Sequence, residues 1–152
     1  MSLFTADQLV AHAVGDYILQ SHWMATEKTK NSVAAAIHAV TYTLPFALIT
    51  QSPAALAVIC GTHFLVDRFR LARFLVWLKN GPWYLYEPEP ATNINQWRDP
   101  PRLSFRQRLT MKPLTATGYQ DDVPAWLSVW LLIAADNIIH VAINAAAIKW
   151  LP

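Results

Sequence analysis

Histidine and aspartate stand four residues apart within otherwise apolar sequence three times in this chain: His12-Ala13-Val14-Gly15-Asp16, His63-Phe64-Leu65-Val66-Asp67 and, reversed, Asp136-Asn137-Ile138-Ile139-His140. That spacing is about one helical turn, so each pair shares a helix face. Imidazole and carboxylate groups are costly in apolar surroundings unless they meet partners. His38 lies in the remaining apolar stretch, so four of the five histidines occupy apolar segments. Such faces have to be brought together, and the pattern predicts a helical bundle enclosing a metal or proton-handling site.

The apolar segments predict helices over residues 3–23, 33–49, 54–78 and 125–150. This is an all-α fold, a four-helix transmembrane bundle forming a single membrane domain over 1–152. Charged residues make up 14% of the chain, against about 25% in ordinary soluble proteins; a soluble helical bundle is the alternative fold. Lys28 and Lys30 lie in the first connector, and Arg68, Arg70, Arg73 and Lys79 crowd the end of the third segment. Arg98, Arg102, Arg106, Arg108 and Lys112 follow in the central connector, whereas residues 50–53 carry no charge. The positive-inside rule then predicts that these connectors face the cytoplasm and that both termini lie outside it.

The connector over 80–124 is rich in proline and tryptophan, including Pro82, Pro88, Pro90, Pro100, Pro101 and Pro113. Trp83, Tyr84, Tyr86 and Trp97 suit a cytoplasmic lid at headgroup level or a surface for a protein partner, with a short helix over 104–110. Local signals set the other boundaries. Asn31 or Ser32 is the expected cap of the second helix, Pro53 a first-turn residue of the third, Pro45 a kink, and Cys60 a small buried hydrophobe.

Gln8, His12, Asp16 and Gln20 make one polar stripe; Asp136, His140 and Asn144 make another. Measured at 1.5 Å per residue from the cytoplasmic helix ends, the histidines and aspartates of all four helices reach similar depths, about 9 to 18 Å. His12, Asp16, His38, His63, Asp67, Asp136 and His140 are therefore the candidate metal ligands, with Gln20, Asn137 and Asn144 orienting them. One or two divalent ions fit this set, zinc foremost, manganese or iron otherwise. Asp16, Asp67 and Asp136 are the candidate catalytic carboxylates, since a metal site of this type activates water toward a phosphoryl or acyl centre. The basic run from Arg68 suits anionic headgroups, or alternatively a phosphate clamp. No nucleic-acid-binding motif and no glycine-rich phosphate loop is present.

The same residues carry a resemblance. The chain resembles the small bacterial and phage membrane proteins of the DUF3307 family, which open with a histidine-leucine-glycine-aspartate segment ending in glutamine and tryptophan. His12 to Asp16 followed by Gln20, Trp23 and Met24 stand in those places, His38 matches the family's second histidine, and His63 to Asp67 its histidine-phenylalanine-leucine-x-aspartate element. The terminal aspartate-glutamine-x-x-histidine element stands here as Asp136 to His140, with Asn137 replacing glutamine. No established activity travels with the family; a looser similarity is to membrane proteins named metal-dependent hydrolases. The expectation is an intramembrane metal-dependent hydrolase acting on a lipid-like or phosphoester substrate. The alternatives are a non-enzymatic host-interaction or structural membrane protein with a buried histidine-aspartate network, and a small transporter component.

Overall fold

The computed structural model describes residues 3–80, 115–119 and 123–151. Among these residues every regular element is helical, as the all-α expectation requires. The α-helices are α1 (Ala6–Ala13), α2 (His22–Glu27), α3 (Ser32–Thr43), α4 (Pro53–Phe69), α5 (Leu71–Asn80) and α6 (Ala125–Trp150). Among the described residues, α6 is the one helix long and apolar enough to cross a bilayer. Its 26 residues reach about 39 Å, and 22% of its most apolar stretch is buried.

Two of the expected helices are interrupted. Residues 3–23 divide into α1, a π-helical turn over Val14–Ile18 and α2. The Leu19 N–H donates to the Val14 carbonyl five residues back, at 2.9 Å, which widens the turn locally. Gly15 lies in that turn against α3: a Cβ there would come 2.7 Å from the Tyr42 carbonyl oxygen and 2.8 Å from Tyr42 Cδ2. Ser21 then opens α2 by accepting from the Met24 N–H at 3.3 Å. Residues 54–78 divide at Arg70, whose φ of 52° and ψ of 48° are left-handed and end α4. That conformation costs a side-chain-bearing residue about 1–2 kcal/mol.

Other boundaries follow local chemistry. Thr5 and Gln8 form a reciprocal capping box at α1, Asn31 caps α3 by accepting from the Val33 N–H at 2.8 Å, and Pro53 is in the first turn of α4 behind the Ser52 cap. Pro45 has no N–H to give the α-ladder, and α3 tightens into a 3-10 turn over Leu44–Leu48. Cys60 is a free thiol and half-buried rather than fully enclosed.

The chain forms two compact units, Met1–Ala72 with Ile133–Pro152, and Arg73–Leu132. In the first, α3 packs along α4, and α1 with its π-turn packs on α3 and the 3-10 turn. Ala34, Ala35, Ala39 and Ala55 are fully buried, and such small side chains let helix backbones approach closely. Ala11, Tyr42, Phe46, Ala55, Ile59 and Ala147 make the apolar core. The interior also carries many polar groups: Gln8, His12, Asp16, His38, His63, Asp67, His140 and Asn144 are buried, while Ile18 (73% exposed), Leu48 (89%) and Ile138 (68%) face outward. In the second unit Trp126 and Trp130 are exposed. The aromatic connector residues and the 104–110 helix expected there lie outside the described residues.

Candidate metal centre

Four side chains from three elements converge in the first unit. Asp16 comes from the π-turn, His38 from α3, and His63 and Asp67 from consecutive turns of α4; one ligand atom from each lies within 4.8 Å of all the others. His38 Nε2 is 3.2 Å from Asp16 Oδ1 and 3.2 Å from Asp67 Oδ2. His63 Nε2 is 3.0 Å from His38 Nε2, 3.2 Å from Asp67 Oδ2 and 4.0 Å from Asp16 Oδ1. A tetrahedral ion with ligands at about 2.0–2.1 Å requires ligand atoms about 3.3 Å apart; four of these five separations are 3.0 to 3.2 Å and the fifth is 4.0 Å, so the four groups could hold a divalent ion.

Hydrogen-bond accounting points the same way. His38 Nε2 has four polar neighbours, Lys28 Nζ at 3.2 Å, Asp16 Oδ1, His63 Nε2 and Asp67 Oδ2, yet one ring nitrogen offers one hydrogen or one lone pair. Asp67 Oδ2 is buried and in close contact with Lys28 Nζ, at 2.8 Å, and with both imidazoles, but none of these contacts is aligned as a hydrogen bond. His38 Nδ1 has no partner among the described residues.

The outer contacts fix one proton position. His140 Nε2 lies 3.3 Å from Asp67 Oδ1 and 3.5 Å from Asp136 Oδ2; carboxylates accept, so this nitrogen carries hydrogen. His140 Nδ1 lies 3.2 Å from His63 Nδ1; in the tautomer with hydrogen on His140 Nε2 alone, Nδ1 accepts from His63 and the His63 Nε2 lone pair is left facing Asp67 and His38. His140 thus links the His63 imidazole to two carboxylates. Asp67, Asp136 and His140 form a second group of suitable donors, with Asp67 shared between the two.

His12 is placed differently from its expected role. The π-turn takes it off the line of Asp16, and its nitrogens face Tyr42 Oη at 2.8 Å and Asn137 Oδ1 at 3.0 Å. The amide oxygen accepts from Nε2, so Nδ1 accepts from the Tyr42 hydroxyl, which in turn accepts from Asn144 Nδ2 at 2.6 Å. Both nitrogens of His12 are committed, and it anchors Tyr42 instead of joining the four donors. Asn137 also pairs with the Tyr17 hydroxyl, at 2.7 and 3.0 Å. Gln20 is half-buried, and its Oε1 has no partner among the described residues.

Two residues enter the site that the spacing of histidines and aspartates did not single out. Lys28, at the end of α2, sets its ammonium 2.8 Å from Asp67 Oδ2 and 3.7 Å from Asp16 Oδ1. Tyr42 lies one turn after His38 and stacks on His63; that i,i+4 relation to His38 was the available signal. Arg68, expected at headgroups or on a phosphate, donates to the Thr29 carbonyl (2.9 Å) and Ser32 Oγ (3.0 Å) and so fastens the loop that follows Lys28.

No curated protein and no solved structure matches this chain. The family model described as "Protein of unknown function (DUF3307)" matches residues 4–86, more than half of the chain and all four converging side chains, and the protein belongs to that family.

Proposed function

We propose that the protein is a membrane-embedded, metal-dependent hydrolase acting on a lipid-like ester or phosphoester, built on one divalent ion held by Asp16, His38, His63 and Asp67. The observation that carries it is the convergence of these four atoms at spacings of 3.0 to 4.0 Å, with Asp67 Oδ2 buried and without a hydrogen bond among the described residues. Two neutral imidazoles and two carboxylates suit zinc foremost, manganese or iron otherwise. Such an ion supplies Lewis acidity and an activated water. His140 holds the protons of the ligand shell, and Asp136 accepts from His140.

The polar interior and apolar exterior support a bilayer setting. In this reading α6 spans the membrane and the shorter helices complete a four-span bundle in the bacterial inner membrane, with both termini outside. Lys28, Lys30 and Arg68 mark the cytoplasmic side.

A second reading has its own observation. Four protein donors close a tetrahedron, the arrangement of sites that hold an ion rather than use it on a substrate, which favours a structural membrane protein with a metal-stapled core.

Elemental analysis of detergent-purified protein tests the centre: about one zinc, manganese or iron per chain is expected, with loss of it in a folded Asp67→Asn variant. Metal-free folded protein sinks both readings. Metal-loaded protein that cleaves no ester or phosphoester lipid, in an assay against extracted membrane lipids, leaves the structural one.

A further inference from the structure

The Lys28 ammonium lies against three of the four converging groups: 2.8 Å from Asp67 Oδ2, 3.2 Å from His38 Nε2 and 3.7 Å from Asp16 Oδ1. It is partly buried, with 17% of its side chain exposed. The backbone behind it is held, because Arg68 donates to the Thr29 carbonyl and the Ser32 hydroxyl. His140 approaches Asp67 through its other oxygen, Oδ1, so among the described residues Lys28 is the lysine that shares the Oδ2 side. Among the described residues, no other lysine or arginine contacts Asp16 or Asp67 in an ion pair.

We infer that Lys28 is a built-in competitor for the metal seat, an affinity-setting residue whose ammonium neutralises the carboxylates when no ion is bound and has to be displaced by any ion that enters. The inference rests on the metal reading above. The physical basis is exclusion and charge: the seat is surrounded by two carboxylates, and a second cation a few ångströms from the same oxygens repels the first. Every divalent ion has to overcome the same opposition. Ions with weak intrinsic affinity for an imidazole-carboxylate set, such as magnesium and calcium, then stay out, while those high in the transition-metal affinity order enter. Lys28 therefore sets the affinity threshold of the centre.

The test uses the full chain in detergent, stripped of metal, with zinc and magnesium titrated separately against a competing chromogenic chelator. The parent, Lys28→Met, Lys28→Gln and Asp67→Asn are compared, and melting curves check folding with and without zinc. The methionine variant keeps the length and apolar stem of the side chain. Removing the competitor is expected to tighten zinc binding about tenfold or more, within the usual range of couplings between linked sites, and to make magnesium binding measurable. The metal-free Lys28→Met protein is expected to melt below the parent and to gain more from zinc. If both Lys28 variants are folded and bind zinc no tighter than the parent, the inference is overturned while the centre stands. If Lys28→Met folds only with zinc, the competitor assignment is supported, since zinc then replaces the missing cation. Absence of zinc binding in every protein overturns the metal reading and this inference with it.

Discussion

The phenol ring of Tyr42 lies flat on the imidazole of His63, with centroids 3.6 Å apart and planes 12° from parallel. Neither ring is free to turn. The Tyr42 hydroxyl is tied to Asn144 and His12, and His63 is held at Nδ1 by His140. One helix thus presents a flat wall that fixes the plane in which a residue of another presents its Nε2 to the centre.

Removing only that hydroxyl separates its two roles. In Tyr42→Phe the stack survives, but Asn144 Nδ2 and His12 Nδ1 lose a buried partner, at a cost of about 1–3 kcal/mol. Tyr42→Leu loses the stack as well, and is expected to cost more and to loosen the centre. Denaturant unfolding measures the first effect; the ratio of metal affinities in the two variants measures the second. Equal stability of parent and Tyr42→Phe would show that the hydroxyl network contributes nothing.

Gly15 is a backbone requirement, because the π-turn rests on the Tyr42 main chain. In Gly15→Ala the added methyl meets a carbonyl oxygen 2.7 Å away, which cannot yield as a flexible side-chain tip would. Overpacking of this kind costs about 1–3 kcal/mol, and it acts on Asp16, the next residue. The expected result is a lower melting temperature together with weakened metal binding; an unchanged melting temperature would mean that α1 moves away from α3 at no cost.

The direction of the His63–His140 hydrogen bond discriminates among the carboxylates. In the proposed metal reading, a His140 that accepts at Nδ1 and donates at Nε2 is not available as a ligand, so Asp136→Asn is expected to keep the ion and His140→Gln to weaken its binding by roughly 10–100-fold. Asp67→Asn loses it. Two ions per chain in the parent, with one lost in Asp136→Asn, would instead assign the second donor group to a second ion. Metal-to-protein ratios for the three variants settle the matter.

The sequence made part of this site legible and hid part of it for physical reasons. The i,i+4 rule holds where the helix is regular: His63 and Asp67 meet at 3.2 Å, Asp136 and His140 at 3.5 Å. It fails at His12 and Asp16, where a five-residue π-turn intervenes; Gly15 was visible, but a glycine does not announce a π-turn. Arg70 is likewise silent as a helix stop, because a left-handed cap usually carries glycine. Lys28 looked like a topology charge since nothing local to it is acidic except Glu27; its partners are brought to it by the π-turn and by α4. The apolar exterior was legible from composition, whereas the lengths of the individual helices were not.

Ile138 tests the bilayer setting most directly. It stands near the middle of α6 and is 68% exposed, while its helix neighbours Asn137 and His140 turn inward to His12 and Asp67. If that exterior meets hydrocarbon, an arginine at the helix centre costs about 2.5–3.5 kcal/mol on the insertion scale; if it meets water, an exposed substitution away from the site stays within about 0.5 kcal/mol. Ile138→Arg is therefore expected to shift much of the protein out of the carbonate-resistant membrane fraction and to lower its yield, with Ile138→Leu behaving as the parent. Trp130, also outward on α6, gives an independent readout through quenching by lipid-attached bromine. Retention of Ile138→Arg at the parent's level, together with unquenched tryptophan, would place the apolar face against protein instead of lipid.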